Sequence, residues 1–182
     1  MATPTPSQTV GPFFPPGLVW KDGGTVLFPG GGERIKLTGR VLDGAGAPVD
    51  GALLETWQVD ADGKVPGKGD EARAYGYGRV FTSADGGYLI ETVMPGAYAA
   101  PDGERYAPQL SLLLFARGLL KPVRTRVFLA ELDAIKDDPL ARAVGDADRL
   151  RTLVATRDPG DPRTYRWDIR LQGAAETIFI EL

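Results

Sequence analysis

Neither histidine nor cysteine occurs anywhere in the 182 residues. Histidine is the usual general base near neutral pH and the commonest metal ligand. Cysteine is the thiolate nucleophile and the soft ligand. Without them the chain alone builds no histidine-based triad, no zinc finger and no thiolate site. Any metal held by this chain alone would need oxygen ligands from carboxylates, carbonyls or tyrosine. The missing cysteines also exclude a disulfide scaffold and fit a reducing cytoplasm, which is the expected location. No signal peptide is visible, because Met1 to Gly11 lacks a basic segment followed by an apolar one. The longest apolar run, Leu112 to Ala116, is far short of the ~20 residues that span a bilayer. A net positive charge is missing as well. Twenty-one basic against 24 acidic residues leave a net charge of −3. So weak and negative a field argues against nucleic acid as a partner.

What is present is an ordinary apolar fraction, 43%, with 24 glycines and 15 prolines dispersed along the chain. They punctuate short segments, as in a turn-rich β protein. The length predicts one domain with a proper core. Residues 1–33 show no steady period, and their prolines forbid a long helix. Phe13, Phe14, Leu18, Val19, Trp20 and Phe28 are too apolar for a solvated tail. This stretch is expected to be an arm lying on another surface, and residues 34–182 the folded domain. From Arg34 apolar and polar residues alternate through Ile35, Leu37, Gly39 and Val41, which predicts a half-buried strand. Further strands are expected at Ala52–Trp57, Gly78–Thr82, Tyr88–Val93, Leu110–Ala116, Val123–Leu129, Tyr165–Gln172 and Thr177–Leu182. Asp138 to Val154 carries the one good helical spacing, in Leu140, Val144, Ala147, Leu150 and Val154. Seven or eight short strands with tight turns predict an all-β protein, a β-sandwich with an irregular N-terminal arm and one or two short helices.

Several segments carry more than fold. Leu54-Glu55-Thr56-Trp57-Gln58 runs into an acidic turn at Asp60-Ala61-Asp62-Gly63. Gly76-Tyr77-Gly78-Arg79, Thr82-Ser83-Ala84-Asp85-Gly86-Gly87-Tyr88 and Thr92-Val93-Met94-Pro95-Gly96 follow. Thr5 to Phe14 opens the chain, and Tyr165 to Gly173 with Glu176 to Phe179 closes it. In this order the set resembles the intradiol ring-cleavage dioxygenases over nearly the whole chain. The resemblance implies a β-sandwich and a ferric ion held by two tyrosines and two histidines. Those four positions fall here on Val65, Tyr98, Gln109 and Ser111. Three of the four ligands are missing, and one phenolate will not hold ferric iron. The resemblance therefore implies the metal-free half of a heteromeric enzyme. Fe(III) would be bound by a partner β subunit, and the substrates would be protocatechuate and O2. The product would be 3-carboxy-cis,cis-muconate.

In that family the arm of the metal-free subunit lies over the partner's iron pocket. By the same resemblance, Thr9, Gly11, Pro12 and Phe13 match positions that line it. Small, rigid residues suit a wall against a flat ring. The family's tyrosine at the last of these positions is phenylalanine here. Arg117, after Leu114-Phe115-Ala116, has two readings: a strand emerging into water, or a guanidinium placed for an aromatic carboxylate. Glu55 and Arg79, on adjacent strands, are expected to pair structurally rather than to catalyse, and Trp57 to pack. The rival class is a non-enzymatic β-sandwich binding module, which fits the hairpins but not the ordered matches at both ends of the chain.

Overall fold

The alternation from Arg34 is a strand, β1 (Arg34–Leu42), with Ile35, Leu37 and Val41 buried and Arg34 and Lys36 exposed. The structure, a computed structural model, describes residues 5–11, 14–19, 21–26, 28, 30–66 and 75–181. β1 organises the first sheet. It pairs along one edge with antiparallel β4 (Gly87–Val93). Along the other edge it pairs, in parallel, with β10 (Thr164–Arg166) and then β11 (Ile169–Arg170). β9 (Thr156–Arg157) extends β10. The second sheet has the order β3 (Tyr77–Phe81), β2 (Leu53–Trp57), β7 (Gln109–Phe115), β8 (Val123–Phe128), all antiparallel. A short ribbon joins β5 (Tyr98–Ala99) to β6 (Arg105–Tyr106).

The two sheets face one another across Ile35, Leu37 and Ile90 from the first and Leu54, Leu110, Leu112, Leu114 and Val127 from the second. This is the β-sandwich expected from the pattern. Strands have a side-chain period of two, so alternate residues of β2, β7 and β8 point away from this core. They are covered too: Leu53 and Phe128 are fully buried on that outer face. One cover is a short helix, α1 (Phe14–Leu18), whose Phe14 ring lies 5.7 Å from Phe115. The other is a helical layer in which Ile135, Ala141 and Leu153 pack on Phe128. Past α1 the chain returns to the sandwich, where Thr25 bridges Glu91 and Val26 is fully buried.

The sequence pattern differs from the structure in three places. The helical spacing of 138–154 is divided among α3 (Pro139–Val144), α4 (Ala147–Leu150) and a 3-10 turn (Arg151–Leu153); α2 (Leu132–Ile135) precedes them. The break is at Gly145, left-handed at φ 66°, whose N–H closes α3 on Ala141 while Asp146 caps the next helix. The strand expected at 165–172 is split at Trp167-Asp168, because the Arg40 N–H bonds the Asp168 carboxylate (2.9 Å) instead of a ladder carbonyl. Of the strand expected at 177–182, the described residues make only a bridge from Ile180 to Arg124.

Candidate functional site

Strand β7 ends in a tight turn. The Ala116 carbonyl accepts from the Leu119 N–H (3.2 Å), and Gly118 has φ +90°. This is type II geometry, with glycine where a positive φ is required. The turn lifts Arg117 into solvent, and no hydrogen bond or ion pair holds its guanidinium among the described residues. The arm comes back to the same turn. Thr9 Oγ1 accepts from the Gly118 N–H (2.8 Å) and donates, at a longer 3.4 Å, to the Ala116 carbonyl. Between arm and turn lies a cavity of about 360 Å³ whose lining includes Thr9, Gly11, Phe14, Phe115, Leu119 and Pro122. The fold thus brings Thr9, Gly11 and Arg117 to one end of the second sheet, where β7 finishes. Chain neighbours aside, Gly11 has no atom of the described residues within 4 Å of where a Cβ would stand, so contacts with these residues do not require glycine there. Pro12 and Phe13 lie outside the described residues. The Thr9 contact and the Phe14–Phe115 pair carried no sequence signal.

A second cluster sits on the outer face of the same sheet. Tyr98 stacks on Tyr106, with centroids 4.8 Å apart and planes 11° apart. Arg126 lies 5.3 Å from the Tyr106 ring and is the register partner of Ser111. Burial raises the Tyr98 phenol above its ordinary value, against the opposing charge of Arg126 and a hydrogen bond from Gln109. Gln109 is buried with its carbonyl oxygen unpartnered, and Val65 is exposed. The ferric ion implied by the resemblance does not fit this set. A hydrocarbon, a neutral amide and an alcohol join one phenol, with a guanidinium beside them. Among the described residues no group of three His, Cys, Asp or Glu side chains is placed to hold a metal.

The expected pair of Glu55 and Arg79 is present. Glu55 Oε1 accepts from Arg79 Nε (2.8 Å), from a second Arg79 nitrogen, and from the Tyr77 hydroxyl (2.7 Å). Burial, then the Glu55 carboxylate, push the Tyr77 phenol up to about 12. Arg79 also donates to the Leu18 carbonyl at the end of α1 (3.3 Å), so the network fastens the arm to the sheet.

The dioxygenase family model matches residues 17–173. The chain belongs to the intradiol dioxygenase family. It is 39% identical to the protocatechuate 3,4-dioxygenase alpha chain of Burkholderia cepacia, over 98% of this chain and 97% of that one. It is 33% identical to the beta chain of protocatechuate 3,4-dioxygenase from the same organism, over 80% of this chain and 67% of that one. Among solved intradiol dioxygenases, 3-chlorocatechol 1,2-dioxygenase of Rhodococcus opacus 1CP superposes with a TM-score of 0.63 at 19% identity, over 90% of this chain and 71% of that one; this likeness concerns the fold. Of the four positions on which the resemblance places iron ligands, Val65, Tyr98, Gln109 and Ser111, only Tyr98 carries a donor side chain suited to ferric iron. No helix among the described residues is long and apolar enough to cross a membrane.

Proposed function

We propose that this intradiol dioxygenase chain is the iron-free α-type subunit of a protocatechuate 3,4-dioxygenase, working in the cytoplasm with a β-type partner. The observation that carries this reading is the end-to-end similarity to an alpha chain. The donor set at Val65, Tyr98, Gln109 and Ser111 supports it, since none but Tyr98 is a ferric ligand. The partner would hold Fe(III), whose charge activates the dihydroxy ring for O2-dependent opening between its two hydroxyl-bearing carbons.

This chain's residues bind and orient. The arm, residues 1–33, is anchored on its own sandwich through Phe14 and Val26 and turns its outer side to the partner, where Gly11, Pro12 and Phe13 close one wall of the pocket and Thr9 stands behind them at the Arg117 turn. A wall that excludes water keeps the local dielectric low and strengthens polar contacts inside. Arg117, exposed and without an ion-pair partner of its own among the described residues, receives the substrate carboxylate in a forked pair of hydrogen bonds. Holding the acid end of the ring fixes which ring bond is presented to the chemistry.

The test is to purify the chain alone and after co-expression with the partner, and to measure iron and oxygen uptake with protocatechuate. The chain alone is expected to carry no iron and to consume no O2. The complex should gain both, together with a visible tyrosinate-to-iron absorption band. Stoichiometric iron and turnover on the single chain would overturn the reading.

A further inference from the structure

We infer that Thr9 is a positioning residue that acts through the turn carrying Arg117, and not through contact with the aromatic ring; this rests on the proposed α-subunit reading. The inference starts from how little of the hydroxyl is left over. A threonine hydroxyl has one hydrogen to donate and two lone pairs. The hydrogen is directed at the Ala116 carbonyl, and one lone pair takes the Gly118 N–H. These two peptide groups stand on either side of Arg117. The threonine lies 109 positions from Gly118 in sequence, so the bond is a tie between the arm and the sheet rather than part of the turn itself.

The tie matters because, among the described residues, the turn is otherwise held by a single backbone bond, Leu119 N–H to Ala116 carbonyl. Gly118 tolerates both signs of φ, so nothing in its own chemistry keeps the peptide before it in one orientation. The Thr9 hydroxyl accepts from that peptide's N–H and so selects the orientation at φ +90°. Arg117 hangs from the same peptide, and a side chain that long magnifies any tilt of the turn at its guanidinium. Phe14 against Phe115 adds an apolar contact one strand residue before Ala116. The arm and the arginine are thereby one rigid unit. When the arm is seated on a partner, the distance from pocket wall to carboxylate receptor is set within this chain.

The experiment uses the assembled complex and the variants Thr9→Val, Thr9→Ser, Arg117→Ala and Thr9→Val with Arg117→Ala. Valine keeps the shape and removes the hydroxyl; serine keeps the hydroxyl. Thr9→Val is expected to raise KM for protocatechuate about threefold to tenfold, the worth of the one short hydrogen bond from the Gly118 N–H, the 3.4 Å bond to Ala116 adding little. The inhibition constant of catechol, which lacks the carboxylate, should move by less than about twofold, within the error of such a comparison. Thr9→Ser should recover most of the loss, and the double variant should be no weaker than Arg117→Ala. Amide exchange in peptide 116–119 should be faster in Thr9→Val and near wild type in Thr9→Ser. Equal weakening of protocatechuate and catechol, or multiplying effects of the two substitutions, would overturn the inference and put Thr9 on the ring. Unchanged exchange would overturn it as well. If Arg117→Ala leaves KM for protocatechuate unaltered, the carboxylate role under the proposed function fails, while the exchange measurement still decides whether Thr9 holds the turn.

Discussion

Replacing Arg79 with methionine would leave Glu55 on the outer face of the second sheet with one hydrogen bond, from Tyr77, in place of three. The side chains of Arg79 and Glu55 are only 19% and 12% exposed, so water cannot easily take over. An exposed pair would be worth at most about 1 kcal/mol. Stranding one charge of a buried pair costs about 3–5 kcal/mol. With part of the carboxylate still reachable by solvent, the expected cost is about 3 kcal/mol. A chain of this length loses roughly 2–4 °C of melting temperature per kcal/mol, so the midpoint should fall by roughly 6–12 °C. Arm attachment should weaken too, since the same guanidinium donates to Leu18. The discriminating comparison is Arg79→Met with Glu55→Leu, which removes both charges and should recover to within about 1 kcal/mol of wild type. Thermal and urea unfolding followed by circular dichroism measure both. A single-variant loss under about 1 kcal/mol, or a double variant as unstable as the single, would refute the claim that a buried, interdependent pair holds this face.

Alkaline pH should destabilise the fold through its phenols. Tyr88 is buried, donates to the Trp167 carbonyl (2.6 Å), and is pushed well above the ordinary tyrosine value by burial and then by Asp168. Tyr77 is raised to about 12. A raised native value means the unfolded chain loses its proton first. The contribution is fully present below about pH 10 and is lost as pH climbs through the native value. Unfolding midpoints at pH 9 and 11 should therefore differ, with late-titrating phenols in the native ultraviolet spectrum. A flat profile would count against both assignments. Asp138→Ala should cost about 2–3 kcal/mol by urea unfolding, because one buried carboxylate caps α3 at Leu140 and also accepts the Ala107 N–H. A loss within about 0.5 kcal/mol would show that water replaces both bonds.

Local period carried most of the architecture. β1, β4, β7 and β8 fall where alternation or a continuous apolar run places them, because a strand's two faces are written in neighbouring residues. Apolar spacing could not show that Gly145 turns left-handed and lets Asp146 begin a new helix, since Leu140, Leu150 and Val154 pack on the same buried cluster on either side of the break. Nor could it show that 177–180 finds only one bridge, because strand propensity says nothing about a free sheet edge. At the positions where the resemblance implies iron ligands, residue type by itself carries the expectation. Valine, glutamine and serine bring no ferric ligand wherever they are placed.

What only the tertiary structure decided is which side chains meet. The stack of Tyr98 on Tyr106 beneath Arg126, the hold of Arg79 on Leu18, and the grip of Thr9 on the turn at Gly118 join residues that share no local pattern. Hydrophobic periodicity records how far a side chain is from water. Such polar ties depend on direction and distance between separate elements, and these exist only once the sheets have packed.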